Sequence, residues 1–247
     1  MYLVNKIFKK YLFLFVLLFL DFLVLLLSLI FYQYSLFSVN SESNIPTFYQ
    51  TFKLLLLTLC ICLFIYNLKI LNFFKINTNR YLFVLCPIAF AFLFLAMDEL
   101  GQFHENLYLY FLQFVGHPVE SFSNNLSQIG FNSWAYWLIF YFPCIVFFIL
   151  YLQFVTKRVL IKFTKNIFWV YVGLVSFIFV LFIEYLHTNN LNFLDSDTYK
   201  IYVHIEEFLE MFGVSIFLFF FYTLFVNSYR LINLKRFENN QLEERST

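Results

Sequence analysis

The sequence predicts an all-α polytopic membrane bundle of six transmembrane helices with both termini cytoplasmic. Three observations carry that expectation. The 247 residues are 62% hydrophobic and only 13% charged, against about 25% charged in a soluble domain. Six apolar runs are long enough for the roughly 20 residues that a hydrocarbon core requires. Finally, fourteen of the sixteen Lys and Arg residues fall in alternate connections, leaving Lys53 and Lys200 on the other side, the asymmetry that marks cytoplasmic loops.

The first run, 12–32, follows Lys6, Lys9 and Lys10. Its basic start resembles a signal peptide, but the apolar stretch is too long and no small-x-small site follows, so it reads as an uncleaved signal anchor. Runs 51–71 and 81–100 enclose a connection bearing Lys69, Lys75 and Arg80; runs 134–155 and 167–187 enclose Lys157, Arg158, Lys162 and Lys165. Pro87 and Pro143 are expected to kink their helices. The last run, 207–229, contains Gly213, which allows close packing beside Glu210. Arg230, Lys235, Arg236 and Arg245 follow it.

The outer connections are then 33–50, 101–133 and 188–206. Asn106–Val115, ended by Gly116 and Pro118, is too short to cross and reads as an outer interfacial or re-entrant helix. Asp195, Ser196 and Asp197 are N-cap candidates for a helix running into the last span. Residues 1–236 thus form a single transmembrane domain. The polar stretch 237–247 reads as a disordered cytoplasmic tail. There is no internal repeat, so an inverted-repeat transporter is not supported.

Phe occurs 40 times and Tyr 18, which suits lipid-facing surfaces and an AT-rich genome better than an aromatic cofactor box. Cys60, Cys62, Cys86 and Cys144 all fall within spans. They offer no disulfide framework and are expected to be structurally buried.

The acids point to a site. Eleven of fifteen lie on the outer side with all four histidines. The uncharged parts of three spans, Tyr81–Met97, Ile167–Ile183 and Met211–Tyr229, are short for a core of about 30 Å. The next helical turns must then enter the outer leaflet, carrying Asp98 and Glu99, then Glu184, then Glu207 and Glu210. An unpaired charge at mid-membrane costs on the order of 3 kcal/mol, so several together call for protons, cations or water. Asp98, Gln102 and Glu105 share a face if their stretch is helical, with His104 beside them. His204, Glu207 and Glu210 step by three residues, and His187 sits one turn beyond Glu184. Carboxylate-plus-imidazole sets suit Zn, Mn or Fe. The expected ligands are drawn from Asp98, Glu99, His104, Glu184, His204, Glu207 and Glu210, with Glu105 as catalytic base or proton relay. Glu120, Asp195, Asp197, His117 and His187 read as interfacial. Asp21, mid-span and apart from the others, is expected to pair with Ser or Tyr between helices.

Known membrane enzymes fit poorly. His104-Glu105-Asn106-Leu107-Tyr108 lacks the second His of H-E-x-x-H, Met211 stands where E-E-x-x-x-R needs Arg, and Gly213-Val214-Ser215 lies deeper than every histidine. Desaturase His boxes are absent. The D-E-x4-H-E run Asp98–Glu105, the late Glu184, and the E-E-x-x-E-M-x-G run Glu206–Gly213 together resemble a pattern in uncharacterised multi-pass bacterial membrane proteins. The resemblance covers the second half of the chain and implies no chemistry.

The leading expectation is a metal-dependent enzyme of the bacterial inner membrane, acting at the outer leaflet on a lipid or lipid-linked substrate. A proton- or cation-coupled transporter is the first alternative, disfavoured by the few polar groups of the inner half. A non-catalytic assembly protein with a membrane-protein partner is the second. No nucleic-acid partner is expected.

Overall fold

The computed structural model describes residues 2–31, 34, 36, 44–73, 79–101, 103, 136–189 and 196–246. Six α-helices make up nearly all of these: α1 Tyr2–Ile30, α2 Ile45–Phe73, α3 Asn79–Gly101, α4 Tyr136–Arg158, α5 Phe168–Asn189 and α6 Ser196–Ser246. Each is long and apolar enough to cross a membrane, and the chain is a multi-pass membrane protein. Six crossings return α6 to the side from which α1 starts. The expected outer helix Asn106–Val115 lies outside the described residues.

Helix α2 begins six residues before the start expected from hydropathy, and local chemistry explains why. Asn44 Oδ1 accepts the Thr47 backbone N–H at 2.7 Å, capping a first turn that contains Pro46, where a missing N–H costs nothing. The early start carries Gln50, Thr51 and Lys53 into the bundle, all buried. At the other end, α6 continues as helix through the polar stretch 237–246. That stretch is rich in the good helix formers Glu, Gln, Leu and Arg, and Lys235 pairs with Glu238 at 2.6 Å.

Helices α2 and α6 form the centre. Leu54, Leu57, Ile61, Phe64, Leu68 and Leu71 recur every three to four residues along α2 and are buried, against α3 on one side and α6 on the other. Helix α6 is apolar all round and buried from Val214 to Phe221, as a helix enclosed by others should be. It runs parallel to α2 and antiparallel to α1 and α5. Asn67 fixes the α2–α6 register by donating to Ser228 Oγ at 2.9 Å and to the Phe225 carbonyl at 3.3 Å. Ser176 of α5 donates to the Leu209 carbonyl of α6 at 2.6 Å.

Helix α1 is peripheral, with Phe15, Phe19 and Phe22 turned outward. Its inward face meets α6 through Leu14, Ile216 and Phe219, and Tyr11 packs on the Trp169 and Phe219 rings. Much of the Phe content faces outward in the same way, as at Phe83, Phe90, Phe147 and Phe179. Cys62, Cys86 and Cys144 are exposed as well, and Cys60 is half-buried, which corrects the expectation of burial. In contact with lipid a thiol behaves as a small apolar group and has no need of the core.

At Gly173, α5 comes close to the Phe217 ring of α6. A methyl there would stand 2.8 Å from the Phe217 ring, which is itself wedged against Phe92 and Phe177. Gly173→Ala is therefore expected to lose about 1–3 kcal/mol through overpacking, read as a lower thermal midpoint in detergent. Phe83→Leu, at a position 83% exposed, should leave that midpoint unchanged.

Candidate functional site

One end of the bundle collects the C-termini of α1, α3 and α5 and the N-termini of α2, α4 and α6. Every described acidic site candidate lies there because its helix ends or begins there. Glu99 comes from the last turn of α3 and Glu184 from the last two turns of α5. Glu206, Glu207 and Glu210 come from the first four turns of α6. The carboxylates of Glu99, Glu184, Glu206 and Glu207 lie close enough to Glu210 to act on its charge. Three helices thus bring carboxylates within electrostatic reach of Glu210.

Beneath this layer sits a feature that the charge map misplaced. Lys53, assigned by that map to the outer side, is 1% exposed inside the bundle and pairs with Asp21, 0% exposed, at 2.7 Å. Its ammonium also donates to the Met211 carbonyl at 2.8 Å and reaches Ser215 Oγ at 3.3 Å. Tyr49, one turn earlier on α2, donates to the same Asp21 Oδ1 at 2.8 Å, and the ammonium lies 4.5 Å from the Tyr49 ring centre. The expected Tyr partner for Asp21 is present, and a lysine joins it. The ammonium is also within electrostatic reach of Glu210 and Glu99. The outer acids therefore do face a basic group. Asp21 Oδ2 and Gln50 Oε1 are buried without a hydrogen-bond partner among the described residues.

Two signals in the sequence could have revealed Lys53. Asn44-Ile45-Pro46 is a cap followed by a first-turn proline, which starts the helix early enough to bury it. Asp21 then stands nine residues before the end of α1 and Lys53 eight residues after the start of α2. In an antiparallel pair they must meet at similar depth. Glu206, left out of the expected ligand set, is the other omission; it lies one turn before Glu210.

Asp98 is buried and accepts a hydrogen bond from Tyr141 of α4 at 3.3 Å, one helical position round from Glu99. The His204 Nδ1–H donates to the Lys200 carbonyl at 2.7 Å, and its Nε2 lies 3.4 Å from the Ser28 hydroxyl. His104 and Glu105 lie outside the described residues, as do His117, Glu120 and Asp195. Among the described residues, no three His, Cys, Asp or Glu side chains form a group that could hold a metal ion.

Residues 11–224 match the model of a domain of unknown function, DUF8692. The chain belongs to the DUF8692 family. No curated protein and no solved structure matches it. The DUF8692 region encloses Asp21, Lys53 and all five glutamates of the cluster, and leaves the far end of α6 outside.

Removing one member of a buried ion pair strands the other, at a cost of about 3–5 kcal/mol, whereas removing both costs less. Asp21→Asn and Lys53→Met are each expected to lower stability by roughly that amount in SDS titration, and the double variant by less than either.

Proposed function

We propose that this DUF8692 chain is a cation-dependent enzyme of a bacterial inner membrane, with its site at the outer leaflet and a lipid or lipid-linked group as substrate. The observation that carries the reading is the convergence of Glu99, Glu184, Glu206 and Glu207 on Glu210. Like charges so close in a poorly solvated place repel, and a bound cation relieves several of them together.

The donor set favours a hard cation. Glu99, Glu184, Glu207 and Glu210 supply oxygen, and both His204 nitrogens already have neighbours. Oxygen-only sets suit Mn or Mg better than Zn or Fe, so Mn is the choice from the metals that the sequence suggested. Ligation would require the glutamates to draw closer than they stand now. In this reading Asp98 and His104 would support the ligands from the surrounding layer, Glu105 would serve as the catalytic base, and a bound cation would supply Lewis acidity. The substrate class follows from position, since helices ending at the hydrocarbon boundary offer acyl-linked groups direct access.

A layer of packed side chains supports a one-sided site over a carrier. Below Lys53, the buried residues Leu57, Ile61, Phe64, Phe217, Phe220, Phe221 and Leu224 belong to one apolar core. A through-path for cations would have to part them.

Protein purified without chelator is expected to hold about one Mn per chain by elemental analysis and to lose it to EDTA. Glu210→Gln and Glu184→Gln should each retain far less. Finding no stoichiometric metal removes the reading, and finding Zn or Fe instead would overturn the donor-set argument.

A further inference from the structure

The basic end of the bundle holds an arrangement that the cation reading leaves unused. Two apolar spans have their ends there at Tyr81 and Lys162, so both residues stand where hydrocarbon gives way to headgroups. Between α4 and α5 the chain makes a short 3-10 turn, Leu160–Lys162. The Lys162 N–H donates to the Val159 carbonyl at 3.1 Å, and the Phe163 and Thr164 N–H groups donate to the Leu160 carbonyl at 3.0 and 3.1 Å. Val159 and Leu160 are buried. The Phe163 ring meets Phe64 and Tyr81 edge-on, with centroids 5.4 and 6.3 Å away. Packing thus fixes the turn against α2 and α3. From this base the exposed Lys162 ammonium donates to Tyr81 Oη at 2.6 Å. A lysine has three protons to donate and a tyrosine one. Two ammonium protons and the Tyr81 hydroxyl proton therefore have no acceptor among the described residues. Lys157, Arg158 and Lys165 flank the turn, exposed and without an ion-pair partner among the described residues. No Asp or Glu occurs in the sequence between Glu120 and Glu184, and those of α3 lie at its opposite end.

We infer that the Lys162–Tyr81 pair binds the phosphate of an anionic phospholipid in the leaflet at the basic end of the bundle. The inference stands apart from the cation reading, since it uses neither the glutamates nor Lys53. Headgroups are always present at this depth of a bilayer, so the occupant is already at hand. The unesterified oxygens of a phosphodiester accept charge-assisted hydrogen bonds. An ammonium and a hydroxyl 2.6 Å apart present donors close enough for one phosphate to take both. Their positions are set before the lipid arrives, which lowers the ordering cost of binding. Ile161, 52% exposed beside Lys162, offers apolar surface to the acyl chains below the headgroup. The flanking positive charges favour a lipid of net negative charge over a zwitterionic one, because each basic residue near the surface adds attraction.

Native mass spectrometry of the full chain, released from nanodiscs holding equal parts of phosphatidylglycerol and phosphatidylcholine, reads which lipid stays bound. The unaltered protein is expected to retain phosphatidylglycerol preferentially. Lys162→Gln should lower that preference about fivefold, whereas Lys162→Arg should keep it. Tyr81→Phe removes one donor and should lower it by a smaller factor. Lys235→Gln is the control: its ammonium is already held by Glu238 at 2.6 Å, so the preference should not change. Lys162 is exposed, so its substitution spares the core, and the two Lys162 variants decide the matter even if Tyr81→Phe fails to fold. Equal losses from Lys162→Gln and Lys235→Gln would overturn the site and leave only general charge attraction. Equal retention of both lipids by the unaltered protein would overturn it too. Displacement of the retained lipid by millimolar inorganic phosphate would overturn the lipid as its occupant.

Discussion

The buried Lys53–Asp21 pair is the constraint on which the arrangement of the helices depends. Lipid tails are as apolar as the side chains that face them, so helices in a bilayer gain little from hiding apolar surface against one another. Helix α1 shows the consequence, since most of its surface looks outward. What ties it inward is specific: a charge pair with α2, a shared ammonium contact to α6, the Ser28–His204 contact and the Leu14 packing. An aspartate in a span has few tolerable neighbours. Once Asp21 is present, the depth of Lys53 and hence the start of α2 follow from it.

The same pair shows how far the sequence could be read. Six helices and the end of the bundle that holds the acids were legible, because span length and charge asymmetry are properties of single segments, although α1, α2 and α6 run well past their expected limits. Lys53 was not, because sorting charges by loop assumes that every lysine lies outside the membrane. The contact of Asp98 with Tyr141 of α4 was equally hidden. One residue of difference is about 100° round a helix, and which side meets α4 depends on packing. Nor could spacing show that the His204 ring nitrogens lie beside Ser28 and the Lys200 carbonyl.

Charge and packing change together along the bundle axis. At one end, half-buried glutamates surround Glu210; a short way in lies the ion pair with Tyr49 and Ser215; below that, aliphatic and aromatic residues fill the space between α2 and α6. The polar contacts that reappear near the other end, Asn67 with Ser228 and Tyr151 with the Val84 carbonyl, are closed on themselves and join neighbouring helices. Polar groups at the two ends therefore do different work. Those near the basic end pin register, whereas those near the acidic end place a buried ammonium within electrostatic reach of Glu210 and Glu99.

That placement bears on how acidic side chains can gather at a bilayer boundary. A fixed ammonium at the bottom of an acidic cluster lowers its energy, so the carboxylates need not all be neutralised from outside for the helices to stay together. Lys53 serves this end only from inside the bundle. At the surface, water and salt would screen its charge within about 10 Å, and its influence on Glu210 would fade.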